Sequence, residues 1–139
     1  MSMKIMIVDP DWNFLQQVRS YLESRGNHTV YEPDTEAALE RAEHWRPDVV
    51  IVSAELDQAS SGDLLERLQA VKPRPAVLLT APLERFDKAW QAWQHGGDEV
   101  IFKPLLNTSE LNVAIFSAME NAICPRPRPV PAASRAMSA

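Results

Sequence analysis

Asp48-Val49-Val50-Ile51-Val52-Ser53 is a block of four aliphatic residues entered from an acid and left at a serine. A run this short and this apolar suits a strand buried on both faces, as in a parallel sheet covered by helices. Working outward, Lys4-Ile5-Met6-Ile7-Val8 runs into Asp9-Pro10-Asp11, and Ala76-Val77-Leu78-Leu79 runs into Thr80-Ala81. Glu99-Val100-Ile101-Phe102 runs into Lys103-Pro104, and a weaker strand is predicted at Thr29-Val30-Tyr31. The four clear runs all finish on polar residues.

Between the runs the period changes. Phe14, Leu15, Val18, Tyr21 and Leu22 fall on one face of a helix that should stop near Arg25-Gly26, where glycine suits a left-handed cap. Asp34 is a natural N-cap for a helix over Thr35–Trp45. Asn107 and Glu110 have capping-box spacing ahead of Leu111, Ala114, Ile115, Ala118 and Ala122. Helices at about 63–71 and 84–95 complete the set. Strand and helix alternate five times, which predicts an α/β parallel sheet with right-handed crossovers. The residue pattern alone leaves the strand order open.

Composition bounds the function. The 139 residues are one domain's worth, and 45% hydrophobic with 24% charged residues is ordinary for a soluble globular chain. No apolar run reaches the roughly 18 residues of a membrane-spanning helix, and the start lacks a signal-peptide layout, so a cytoplasmic protein is expected. The single cysteine, Cys124, agrees with a reducing compartment and reads as a bystander. Net charge is −5, but the arginines at 126, 128 and 135 sit in a tail without acids. The body holds eleven basic against nineteen acidic residues, which argues against nucleic-acid binding. Residues 1–123 are expected to form the domain. Residues 124–139, proline-rich and at odds with helix or sheet, read as a disordered tail or linker, with a spacer favoured over a ligand for a proline-reading partner. The linker-like tail would also fit a chain that is a fragment of something longer.

In open α/β sheets, ligands gather at the carboxyl ends of the strands where the strand order reverses. Asp9, Ser53, Thr80 and Lys103 all lie at or just beyond strand C-termini, and that shared edge makes a functional site. The turn after the first strand, Asp-Pro-Asp, is acidic where a phosphate loop needs glycines, amides and positive charge, and the chain has only four glycines. A small nucleotide-binding enzyme is therefore disfavoured.

Asp9-Pro10-Asp11, Ser53, Thr80-Ala81 and Lys103-Pro104, at these intervals, resemble the receiver domain of two-component response regulators over roughly residues 3–122. The resemblance implies a flavodoxin-like, doubly wound sheet of order 2-1-3-4-5 and a bacterial phosphorelay setting. It also implies a pocket in which an aspartate takes a phosphoryl group in line, with Mg²⁺ offsetting charge on the equatorial oxygens. Carried onto this chain, the acidic pair falls on Asp9 and Pro10, and Pro10 has no side-chain oxygen; Asp11 stands one position late. The phosphoacceptor falls on Ser53. Thr80 matches the switch hydroxyl, Ala81 its small neighbour and Lys103 the pocket lysine, while the switch aromatic falls on Val100. Such a chain reads as a degenerate receiver, or pseudo-receiver: a non-enzymatic module without the standard aspartyl phosphorylation.

Ser53 reads as a small polar residue capping a buried strand. The alternative, phosphorylation of Ser53 itself, needs a base to activate the hydroxyl, and Asp9 and Asp11 would be engaged with metal. Lys103 is expected to pair with Asp9 or Asp11. A relict, weak Mg²⁺ site from Asp9, Asp11 and Glu55 is the other use of those acids; no other cofactor is implied. His28, His44 and His95 have no metal-ligand spacing and read as surface residues.

The resemblance further implies protein partners (a kinase, an output domain or another receiver) and homodimerisation through helix 4, strand 5 and helix 5. Trp90, Trp93 and Val100 are the residues assigned to that surface. Trp93 also falls on the core-facing side of helix 4, and Trp90 is the candidate hot spot.

Overall fold

The computed structural model describes residues 2–56 and 58–124. Of the expected tail, therefore, only Cys124 is described, and it is exposed. The chain alternates β1 (Lys4–Val8), α1 (Trp12–Ser24), β2 (His28–Tyr31), α2 (Thr35–Trp45), β3 (Val49–Ser53), α3 (Gln58–Leu68), β4 (Ala76–Pro82), α4 (Phe86–Trp93), β5 (Glu99–Lys103) and α5 (Thr108–Ile123). The five strands form one parallel sheet in the order β2-β1-β3-β4-β5.

Continuous apolar strands are needed because the sheet has two buried faces. Ile5, Ile7, Val49, Ile51, Ala76, Leu78 and Ile101 pack against Phe14, Leu15 and Val18 of α1 and Leu111, Ile115 and Ala118 of α5. The alternate residues Met6, Val8, Val50, Val52, Val77, Leu79 and Val100 face α2, α3 and α4 through Leu39, Leu65, Leu68 and Trp93. The caps follow the sequence. Asp34 Oδ1 accepts from the Ala37 N–H, Asn107 and Glu110 form the capping box, and Gly26 turns the chain at a φ of 88°.

Two helices depart from the expected bounds. The helix expected over 63–71 is α3 at Gln58–Leu68, and Val71 lies in the turn that closes it, donating to the Leu68 carbonyl. The helix expected over 84–95 is split into a 3₁₀ turn at Leu83–Arg85 and the short α4. The cause lies in β4, which continues past Leu79 as Ala81 and Pro82 pair with Phe102 and Lys103. The strand thus consumes residues that a βα loop would otherwise use.

At the opposite end of the sheet Asp98 is buried, accepting from both terminal guanidinium nitrogens of Arg74 (2.8 and 3.2 Å) and from the Val77 N–H (2.8 Å). This clamp joins the entries of β4 and β5. Arg74→Ala should lower stability by about 2 kcal/mol, the worth of charge-assisted hydrogen bonds to a buried carboxylate. The urea midpoint measures it, and an unchanged midpoint would mean that the clamp contributes nothing.

Candidate functional site

Alternation along the strands assembles the site. Ile7, Ile51, Leu78 and Ile101 face α1 and α5, so side chains two residues further on point the same way. These are Asp9, Ser53, Thr80 and Lys103. Register aligns them: Val8 lies beside Val52, which puts Asp9 beside Ser53, and Ser53 pairs with Thr80. Lys103, paired with Pro82, reaches in from β5. All four are buried.

Asp9 is the hub. Its Oδ1 accepts from the Asp11 N–H (2.9 Å) and from Lys103 Nζ (3.0 Å). Its Oδ2 accepts from Thr80 Oγ1 (2.9 Å) and lies 2.9 Å from the same ammonium. Lys103 Nζ also meets Asp11 Oδ2 at 3.4 Å and sits 4.6 Å from the centre of the Phe14 ring. The Thr80–Asp9 bond spans from β4 to β1 across β3. It can form because the side chain between them is as small as Ser53. The Ser53 Oγ accepts the Glu55 N–H at 3.1 Å, and Ser53 has no exposed surface.

Asp11, one residue ahead of α1, has a second role that the sequence-based assignment of it to the acidic pocket does not include. Its Oδ1 accepts the Phe14 N–H at 3.1 Å, making it the N-cap of α1. Phe14, read as a core residue, also lies beside the Lys103 ammonium.

The Asp9, Asp11 and Glu55 side chains do not gather into a metal-binding cluster. Glu55 is exposed, and its charge acts on Arg85, whose guanidinium is held above its ordinary value first by the Asp87 hydrogen bond. Among the described residues no group of three His, Cys, Asp or Glu side chains could hold a metal ion. Mg²⁺ is held by one or two free carboxylates, with waters completing its shell of about six oxygens. Here Asp9 is saturated, Pro10 offers none and Ser53 is uncharged. The residues present do not fit the Mg²⁺ of the expected pocket.

The surface assignment also needs correcting. Trp93 is 6% exposed and Val100 is 7% exposed, both packed in the core under α4, so neither can anchor a partner. Val100 lines only the floor of a groove of about 360 Å³ between β5 and α5. Trp90 is on the surface at 38% exposure. An aromatic pair stands two residues along the strand from Val100: Phe102 stacks on Phe86 of α4 with centroids 6.2 Å apart. The three histidines are exposed, as expected.

Residues 5–116 match the response regulator receiver domain family. The chain belongs to that family. It is 30% identical to a protein-glutamate methylesterase/protein-glutamine glutaminase of Rhodospirillum rubrum over 96% of this chain and 39% of that protein. It is 28% identical to the alkaline phosphatase synthesis transcriptional regulatory protein PhoP of Bacillus subtilis over 83% of this chain and 48% of that one. The chain therefore spans less than half the length of either relative. Among solved structures, the CheY-like receiver domain protein of Methanospirillum hungatei superposes with a TM-score of 0.73 at 20% identity, covering 88% of this chain and 98% of that one. NtrX from Brucella abortus gives 0.75 at 22% identity over 99% of this chain and 29% of that one. These likenesses concern the fold. As a two-component receiver domain, the chain has a family whose members interact with kinases and output domains. No helix among the described residues is long and apolar enough to cross a membrane.

Proposed function

We propose that this receiver signals through protein–protein contact without aspartyl phosphorylation and without enzymatic activity of its own, in the cytoplasm of a bacterial two-component system. One observation carries the reading: the acceptor position holds Ser53, fully buried, with its Oγ taken by the Glu55 N–H. A hydroxyl in that state is neither an acyl-phosphate former nor within reach of a kinase. Incubation with phosphoramidate and Mg²⁺ should give no phosphoprotein, and beryllofluoride should leave the amide shifts of Asp9, Ser53, Thr80 and Lys103 in place. Saturable uptake of either would overturn the reading, with an acid-stable phosphate pointing to Ser53 itself.

The partner surface in this reading is α4-β5-α5, with a kinase, an output domain or a second receiver as the partner. Trp90 is its anchor, and exposed apolar side chains stand at Leu83 (50% exposed), in the 3₁₀ turn ahead of α4, and at Val113 (65% exposed) on α5. Trp90→Ala should weaken self-association about 30-fold, the loss of an aromatic hot spot of about 2 kcal/mol. Sedimentation equilibrium over a concentration series measures this. An unchanged association constant would remove Trp90 from the interface.

A further inference from the structure

Charge balance in the pocket differs from that of a site built for a divalent ion. Three carboxylates at one strand edge repel each other strongly enough to need more than one positive charge. This chain has Asp9 and Asp11 only, with Ser53 neutral between β1 and β4. A single ammonium neutralises Asp9. The remaining charge, on Asp11, is 41% exposed and sits at the N-terminus of α1, where solvent and the helix dipole both favour it.

The Lys103 ammonium is correspondingly enclosed. Its side chain is 7% exposed, its nitrogen lies within 3.4 Å of both oxygens of Asp9 and of Asp11 Oδ2, and the Phe14 ring covers another side. Three donors and three acceptor atoms match. We infer that Lys103 is the resident cation of this pocket, occupying on Asp9 and Asp11 the place a divalent ion would need, so that the pocket is closed and metal-independent. The inference deepens the phosphorylation-independent reading and rests on it for the neutral Ser53.

The closure reaches the partner surface. Thr80, latched to Asp9, fixes the end of β4, and the pairing of Pro82 with Lys103 ties the entry of α4 to the same lysine.

The test is a Mn²⁺ titration of the full chain followed by paramagnetic broadening of backbone amides, for wild type and for Lys103→Met. In wild type the Asp9 and Asp11 amides should show no saturable broadening, and Mg²⁺ should leave the thermal midpoint unchanged. Lys103→Met uncovers two carboxylates, so it should gain saturable broadening at those amides and a midpoint that rises with Mg²⁺. Should the variant fail to fold, the wild-type ¹⁵Nζ resonance of Lys103 serves instead: a slowly exchanging, Mg²⁺-insensitive ammonium signal is expected. Loss of that signal on adding Mg²⁺, saturable Mn²⁺ binding by wild type, or a folded Lys103→Met protein without a metal site would each overturn the inference. Metal binding by wild type without phosphate uptake leaves the phosphorylation-independent reading standing, whereas phosphate uptake overturns that reading itself.

Discussion

Lys103→Met should destabilise the domain by about 3–5 kcal/mol, the range for breaking a buried ion pair from one side. The Asp9 side chain has no exposed surface, and its partner ammonium is 7% exposed. Removing the ammonium leaves a carboxylate with only the Thr80 hydroxyl and the Asp11 N–H, and no counter-charge in the interior. The loss belongs to the orphaned charge and is not a measure of what the pair contributes. Replacing both partners, as Asp9→Leu with Lys103→Met, should recover most of it, since an apolar pair of similar volume is often neutral or better. Urea denaturation of the two single variants and the double variant closes the cycle. A single-variant loss below about 1 kcal/mol would put the pair in the class of exposed salt bridges and contradict its burial.

The parts of this site that were legible in the sequence are those that alternation dictates. A parallel strand buried on both faces has to be a continuous apolar run, so Val49–Val52 and its counterparts mark their own ends, and the polar residue past each end marks the working edge. A pairing of Lys103 with Asp9 or Asp11 was also legible, from opposite charges on one strand edge, and the lysine meets both. What alternation cannot reveal is distance across strands. That Thr80 meets Asp9 over the top of Ser53 depends on the size of a residue in the strand between them. The Arg74–Asp98 clamp joins residues far apart in sequence and has no local signal. Val100 and Trp93 were assigned to a partner surface from where that surface lies in the family. Both faces of β5 are covered by helices, and Val100 lies on the one under α4, while Trp93 packs on the core-facing side of α4 that its position in the helix also indicated. The extent of β4 was hidden because the apolar run stops at Thr80, whereas the pairing continues through Ala81 to Pro82, and proline holds its place there at the very end of the strand.

Restoring the missing carboxylate should not restore the chemistry. Ser53→Asp places a second acid at a position with no exposed surface, beside Asp9 and in line with the Thr80–Asp9 hydrogen bond. Two buried like charges then share one ammonium, and the bridge from β4 to β1 is interrupted. A loss of about 2–4 kcal/mol is expected, from the uncompensated charge and the broken bond together. Phosphoramidate with Mg²⁺ should still leave this variant unmodified, because Pro10 supplies no oxygen and Lys103 still occupies Asp9. Adding Pro10→Asp supplies a further carboxylate at the strand edge. The double variant should then show stability that rises with Mg²⁺ concentration, as binding to the folded state alone requires. Phosphate uptake, if it returns at all, should appear there and not in the single variant. Efficient Mg²⁺-dependent phosphorylation of Ser53→Asp alone would mean that the pocket around Ser53 is intact, that Lys103 yields its place readily, and that one substitution separates this chain from a working receiver.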